Sequence, residues 1–187
     1  CAVCALGASA VGYSDIPVVR ISGSGRTVVT ADRANLTFNL ETSGKDSAGA
    51  KSENDEIYKK ITKTAGKYGE IKEEGAYAYT PDNGERATYN RTFSITTGKV
   101  AETAKIRDEV LSGGATGFSG VYYTLTDTAA AKSTAMEKAL NDVTSRAGAL
   151  GVKGSIRSVR ELPYESNTDY SQSPGVTVEV RIMAEYV

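Results

Sequence analysis

The sequence lacks histidine and tryptophan entirely, and only two of its 187 residues are cysteine. Histidine is the commonest general base near neutral pH and the commonest protein ligand of metals, so its absence removes many classes of enzyme. The chain also lacks the Gly-x-Ser-x-Gly and Ser-x-x-Lys motifs that mark serine nucleophiles. We therefore predict a protein that is not an enzyme and has no catalytic residue, no cofactor and no metal site.

The chain also lacks an excess of either charge. It has 22 Lys and Arg residues against 23 Asp and Glu residues, a net charge of −1. Proteins that bind nucleic acid neutralise its phosphates with clustered basic residues, so nucleic acid is not an expected partner. No apolar run approaches the roughly 20 residues of a membrane-spanning helix. We expect no transmembrane helix in the body of the protein.

The opening stretch CAVCALGASAVGYSD, residues 1–15, is apolar and holds both cysteines. Ala8-Ser9-Ala10 has the A-x-A pattern of a signal-peptidase site, so the stretch is a signal remnant in one interpretation. This pattern indicates export, to the periplasm, the cell envelope or the extracellular surface.

Two further interpretations make the same stretch a working N-terminal arm. Cys1 and Cys4 are candidates for a disulfide to another subunit, because exported proteins meet an oxidising environment, or Cys1 carries a lipid anchor. A redox role of the C-x-x-C spacing would need a helix N-terminus beside it, which an apolar leader does not provide. Four apolar side chains are candidates for docking on a neighbouring copy: Val3, Leu6, Val11 and Tyr13.

Strand patterns dominate the rest of the chain. Two β-branched runs, residues 18–21 and 26–31, flank Gly23-Ser24-Gly25, which we interpret as a hairpin turn rather than a phosphate loop because a strand follows it. Residues 36–40 alternate apolar and polar, which predicts a third strand and an N-terminal meander. Two more strands flank the turn residues 81–84.

Helical spacing recurs in three segments. The first begins at Asp46 or Ser47 and ends at Gly69, and the second covers Val100 to Leu111. The third begins after Asp127, and its predicted core stripe is Met136, Leu140, Val143, Ala147 and Leu150. Strands over residues 156–161 and 176–186 complete the pattern, and Pro163 to Gly175 between them reads as an exposed loop.

Two further clusters have ordinary structural interpretations. Glu70, Glu73 and Glu74 with Lys72 form a charge run of the kind that is usually solvated, without the fixed spacing of a calcium loop. Many tyrosines lie in the strand patterns, and we interpret them as cross-strand packing rather than as stacking platforms for bases or sugars. They are Tyr77, Tyr79, Tyr89, Tyr122, Tyr123, Tyr164, Tyr170 and Tyr186.

The order of elements and two local stretches resemble the SIMPL-domain family of bacterial periplasmic and outer-membrane immunogens. The stretches are ISGSGRTVVTADRANLTFNLET and LTDTAAAKSTAMEKALNDVTSRAGALGVKGSIRSVRE. The resemblance implies an α+β fold of antiparallel sheets with about three helices in two lobes, over residues 16–187, with 163–175 as a variable loop. It also implies export, assembly into rings or larger oligomers in some members, and no agreed enzyme activity.

Two functions follow as hypotheses. In the first, the protein is exported and self-assembles into a homo-oligomeric ring or filament in the envelope or on the cell surface, with the arm packed on a neighbouring copy. In the second, it is an envelope stress-response module that binds a small molecule or a partner protein in a concave pocket between the lobes.

Overall fold

A computed structural model describes residues 18–80, 86–163 and 173–187 of the chain. The described residues form seven strands, three α-helices and one short 3-10 helix at Val100–Glu102. The strands are β1 Val19–Thr30, β2 Arg33–Gly44, β3 Glu70–Tyr79, β4 Ala87–Thr97, β5 Gly117–Thr124, β6 Ile156–Glu161 and β7 Gly175–Tyr186. The helices are α1 Ser47–Ala65, α2 Thr103–Ser112 and α3 Ala129–Ala149.

The strands form two antiparallel sheets, each covered by helices. Sheet A has the strand order β1-β7-β6, and sheet B has the order β3-β4-β2-β5. Helix α3 packs on sheet A, whereas α1 and α2 pack on sheet B. The predicted α+β class with two lobes and three helices is confirmed.

The core of sheet B lies between its strands and α1. Phe38 of β2 and Phe93 of β4 stack with ring centroids 5.5 Å apart, and both rings are fully buried. Helix α1 begins where Asp46 accepts a hydrogen bond from the Gly49 backbone N–H at 2.7 Å, a standard N-cap. Its apolar stripe, which includes Ile61 and Ala65, then faces the sheet.

The predicted turn at Gly23-Ser24-Gly25 is wrong, because β1 runs without a break from Val19 to Thr30. Gly23 and Gly25 are buried beneath α3, and a Cβ atom at either position would overlap atoms of that helix. These glycines therefore permit a close approach of helix to strand rather than a reversal of the chain. The predicted meander is also wrong, since β1 and β2 lie in different sheets.

The predicted core stripe of α3 is confirmed at Val143 and Ala147, whereas Met136 and Leu140 are only partly buried at its margin. The buried residues of this helix are Ala131, Ala135, Ala139, Val143 and Ala147, whereas Leu150 is 70% exposed. Small side chains occupy the stripe because the helix lies so close to the glycines of β1 that larger ones would not fit. Asp127 accepts from the Ala129 N–H at 2.8 Å at the start of the helix, as predicted for a capping residue.

The remaining elements match their predicted segments within a few residues. β6 and β7 confirm the two C-terminal strand patterns, and α1 and α2 confirm the first two helices. The Asn-Gly turn within residues 81–84 and most of the 163–175 loop lie outside the described residues.

Candidate functional site

The residues that the sequence singles out as docking or linking candidates fall outside the described part of the chain. These are Cys1 and Cys4, and the apolar set Val3, Leu6, Val11 and Tyr13. The structural features that bear on function are therefore sought on the folded body, on the faces and edges of the two sheets.

One face of sheet B is apolar and covered by helices, and its other face is polar. In β2, Leu36, Phe38 and Leu40 point to the helices, so the intervening Asn35, Thr37, Asn39 and Glu41 point away from them. Residues of β3, β4 and β5 that lie beside these positions in the pairing point to the same side of the sheet. We call the surface that they form together the polar face. Its other members are Glu70, Lys72, Glu74, Tyr77, Tyr79, Thr88, Asn90, Thr92, Ser94, Thr96, Ser119 and Tyr122.

Hydrogen bonds between neighbouring strands order the centre of the polar face. Asn39 donates to Ser119 at 2.8 Å and accepts from the Thr92 hydroxyl at 3.0 Å, which links β5, β2 and β4 in one row. In another row, Asn35 donates to Thr96 at 3.2 Å. The side chains are thus held in place and present amide and hydroxyl groups in fixed positions.

The polar face has few charges, and most of them are negative. The acidic side chains are Glu41, Glu70 and Glu74, and the basic ones are Lys72 and, two residues before Asn35 on β2, Arg33. The Ser94 hydroxyl donates to Glu74 at 2.7 Å, and this hydrogen bond together with the Lys72 ammonium holds the pKa of Glu74 below its ordinary value. Glu74 is therefore a carboxylate at neutral pH, and the charge run of residues 70–74 lies in strand β3.

Exposed tyrosine rings flank the neutral centre. Tyr77 is 63% exposed and Tyr79 is 60% exposed, and both lie on the polar face opposite Asn90 and Thr88. Tyr122 is 38% exposed and pairs with Asn35. It lies on the same face but on β5, the strand at the opposite edge of the sheet. Packing against neighbouring strands therefore leaves more than half of Tyr77 and Tyr79 exposed, whereas most of the Tyr122 surface is buried as expected for cross-strand packing. Tyr123 and Tyr186, in contrast, are buried as predicted.

The alternation of residues within the strands already indicates this face in the sequence. In β2, polar residues with short amide and hydroxyl side chains alternate with the apolar ones. Tyr77 and Tyr79 are also two residues apart, which places both rings on one side of a strand. Which side is polar, however, depends on the pairing of β3 with β4, and the local pattern does not specify that pairing.

The outer edge of sheet B is β3, and its second half carries no charge. Residues 70–74 include four charged side chains, and a bulge follows between Glu73 and Gly75. The segment Gly75 to Tyr79 has the sequence GAYAY and is exposed throughout. An uncharged, exposed edge is a template for pairing with another strand.

The edge of β1 in sheet A is closed by side chains of α3. Asp142 accepts a hydrogen bond from the Ser24 backbone N–H at 3.0 Å, and the Lys138 ammonium donates to the Arg26 carbonyl oxygen at 3.0 Å. These bonds satisfy backbone groups that an additional strand would need.

The other two edges are short or irregular. β6 has six residues, three of them charged, and its pairing with β7 is interrupted by a bulge. β5 has eight residues and a bulge opposite Thr37 and Phe38, where Gly120 has a φ of 152°. Bulges and charges of this kind discourage further pairing. The β3 edge is thus the open one among the described strands.

A charged cluster lies on the helix side of sheet B. The guanidinium of Arg91, 6% exposed, donates through Nη2 to Asp55 Oδ1 of α1, and its Nε lies 3.2 Å from Glu73 Oε2 without hydrogen-bond alignment. The Tyr58 ring stacks over the guanidinium with its centroid 4.4 Å from Cζ. A strand residue is thereby tied to α1, and the cluster has a structural role.

An open groove of about 710 Å³ lies between α1 and α2. Four charged residues contribute to its lining: Lys67, Lys105, Asp108 and Glu109. The pKa of Glu109 lies below its ordinary value because the Lys67 ammonium pairs with Oε2 of its carboxylate at 2.9 Å and the Tyr68 hydroxyl donates to Oε1 at 2.7 Å. This groove belongs to the sheet B lobe alone, and it is not the pocket between the lobes that the second hypothesis predicts.

Comparison with known proteins identifies the family. A family model described as SIMPL, protein of unknown function (DUF541), matches residues 19–186. The chain belongs to the SIMPL-domain family. A search of the curated proteins finds no match.

Among the described residues of this SIMPL-domain protein, no group of three or more Cys, Asp or Glu side chains is placed to hold a metal ion. None of the described helices is both long enough and apolar enough to cross a membrane.

Proposed function

We propose that this SIMPL-domain protein is exported and self-assembles into a homo-oligomeric ring or filament in the cell envelope or on the cell surface. The proposed role is structural and non-enzymatic. The observation that supports it best is the uncharged, open segment Gly75 to Tyr79 at the edge of sheet B, in a body whose other edges are closed, short or bulged.

The partner of this edge is proposed to be the arm of another copy. Residues 1–14 contain no charged side chain, so pairing with Gly75 to Tyr79 would bury no charge. Seventeen residues in extended form span at most about 60 Å, whereas a folded body of this size has a radius of gyration of about 16 Å. Residues 1–17 alone are therefore long enough to reach a neighbouring molecule.

The entry point of the arm has further apolar surface. Val18 is 39% exposed and Val19 is 40% exposed, at the end of β1 where Val19 pairs with Tyr186. Ile156 of β6 pairs with the same Tyr186 and is 39% exposed. Contact with a neighbouring copy around this end would remove these side chains from water, at about 25 cal/mol for each Å² of apolar area.

Sedimentation velocity of full-length protein tests the proposal. Deletion of residues 1–12 should leave monomers, and so should Ala78→Lys, which puts a charge on the open edge. Ala78→Ser is the matched control, since it changes the same position without adding charge, and it should assemble like the parent. Assembly that persists in both the deletion variant and Ala78→Lys would contradict the proposal.

The cysteines and the compartment need separate measurements. If Cys1 or Cys4 forms an intersubunit disulfide, non-reducing electrophoresis should show a covalent dimer that disappears with reductant. Cell fractionation with an antibody to the folded body should place the protein outside the cytoplasm. Recovery in the cytoplasmic fraction alone would contradict the export part of the proposal.

A stress-response binding module is the second candidate, and the groove between α1 and α2 favours it. Its volume of about 710 Å³ falls within the range of small-molecule sites. Lys67 and Lys105 would face an anionic ligand there, although Asp108 and Glu109 oppose them. Saturable binding of a small anion that Lys105→Ala abolishes, in a protein that stays monomeric, would favour this function over assembly.

A further inference from the structure

We propose that the polar face of sheet B binds a neutral polysaccharide chain. This site lies on the side chains of the sheet, whereas the proposed assembly uses the backbone edge of β3. The two proposals can therefore be tested independently of each other, although Tyr77 and Tyr79 belong to both regions.

The charges of the polar face decide the class of ligand. Glu41, Glu70 and Glu74 face only Lys72 and Arg33, so the face has no cluster of basic side chains to neutralise a polyanion such as a nucleic acid or an anionic lipid surface. The centre of the face consists of amide and hydroxyl side chains, so a lipid tail or an apolar helix would leave their polar groups without partners. A ligand of many hydroxyl groups and no charge satisfies both conditions.

The ordered polar rows fit such a ligand. Asn39 has its amide fixed by Ser119 at 2.8 Å and by Thr92 at 3.0 Å, so the row does not have to be ordered when a ligand binds. Thr37 adds a hydroxyl in the middle of the face, where its partner on β5 is Gly120. Because glycine has no side chain, a ligand chain can lie close to the sheet at this point.

The tyrosines supply flat surfaces at the margin. Tyr77 and Tyr79 are two residues apart on one strand, so their rings stand about 7 Å apart on the same side. Each ring is exposed by 60% or more, an unusual amount for large aromatic side chains on a sheet. The C–H faces of sugar rings can pack on these aromatic faces while the sugar hydroxyls bond to the amide rows.

Titration calorimetry with chitohexaose as the probe tests the inference on the full chain. Saturable binding is expected, and Tyr77→Ala combined with Tyr79→Ala should weaken it at least about tenfold, which corresponds to the loss of two ring contacts. The matched control is Tyr77→Phe with Tyr79→Phe, which keeps both rings and should bind within about twofold of the parent. Thr37→Val, which removes a hydroxyl at constant shape, should weaken binding about threefold.

Three results would overturn the inference. They are no saturation by chitohexaose or by cellohexaose at millimolar concentration, unchanged affinity of the double alanine variant, and stronger binding of heparin than of either neutral oligomer. Circular dichroism melts of each variant show whether the fold is kept. Sedimentation velocity of the same samples separates a failure of sugar binding from a failure of assembly.

Discussion

Gly23 of β1 lies directly beneath Val143 of α3, and a Cβ atom built on the glycine would be 2.6 Å from Val143 Cγ2 and 2.9 Å from the Ala139 carbonyl oxygen. Gly25, two residues along the strand, lies in the same way beneath Ala135. The helix backbone therefore rests on the strand backbone with almost no side chain between them. This contact fixes the distance between α3 and sheet A.

Gly25→Ala should lower the free energy of unfolding by about 3 kcal/mol or more, because the added methyl group overlaps helix backbone that cannot move without repacking sheet A. The measurement is urea denaturation followed by far-UV circular dichroism. Gly148→Ala is the control, since a Cβ there meets nothing within 4 Å. That control should be neutral or should raise stability by up to about 1 kcal/mol through its helix propensity. Equal effects of the two substitutions would contradict this account of the glycines.

The sheet A contact shows where the sequence was informative and where it was not. The alternation in β7 and the spacing in α1 predict those elements, because each has one buried face of ordinary side chains. The sequence predicts Val143 and Ala147 of the α3 stripe correctly, but it favours Met136 and Leu140 over the neighbouring Ala135 and Ala139 because the larger side chains are the more hydrophobic. Only the close approach of Gly23 and Gly25 makes alanine the residue that fits, and such an approach involves residues more than 100 positions apart.

The polar face of sheet B was missed for a related reason. The alternation of residues within β2 and within β3 indicates that Asn39 and Tyr77 each lie on the polar side of their own strand. Only the pairing of β4 with β2 and β3 brings them to one surface, and the edge position of β3 exposes the Tyr77 ring. Pairing order depends on contacts distant in sequence, which local periodicity does not encode.

Asp55→Asn should make the protein less stable at neutral pH by about 1 kcal/mol, a modest effect because the side chain is 44% exposed. Hydrogen bonds from Lys51 and Arg91 hold the pKa of Asp55 below its ordinary value. The carboxylate therefore contributes stability above the unfolded pKa of about 4, and this contribution is lost as the pH falls through the lower folded pKa.

Unfolding curves of parent and variant between pH 7 and pH 2.5 would measure this contribution. The difference between them should be full at pH 7 and should shrink below about pH 4. Glu56→Gln removes the same charge from an exposed position of α1 and is the control. A difference that is constant over the whole range would show that the Asp55 charge is not what matters.

Asn54→Asp should be strongly destabilising at neutral pH. Asn54 is completely buried between α1 and sheet B, and its Nδ2 donates to the Leu40 carbonyl oxygen at 2.9 Å. A carboxylate in its place would face that oxygen without a proton to donate and would cost about 3 kcal/mol or more. Acid should partly restore stability, because the buried carboxyl would have a raised pKa and would donate once protonated.

Asn54→Ser provides the comparison for this substitution. It keeps a donor in a smaller side chain, and it should reduce stability by a similar amount at pH 4 and pH 7. Thermal melts at the two pH values are sufficient. A loss of stability in Asn54→Asp that does not depend on pH would indicate a packing defect rather than a buried charge.

Asp142→Ala should open the β1 edge of sheet A. The Asp142 carboxylate accepts from the Ser24 backbone N–H, and loss of that acceptor exposes an unpaired donor on a strand of 12 residues. We expect faster formation of thioflavin-binding aggregates, with Asp108→Ala as the control because Asp108 lies at the surface of α2 beside Arg107.

The hydrogen bond from Arg146, followed by that from Ser24, keeps the pKa of Asp142 below its ordinary value. The parent protein should therefore keep this edge closed until the pH falls through that lowered pKa. Identical aggregation rates for the two variants at pH 7 would show that the edge of β1 is protected by the bulk of α3 and not by this hydrogen bond.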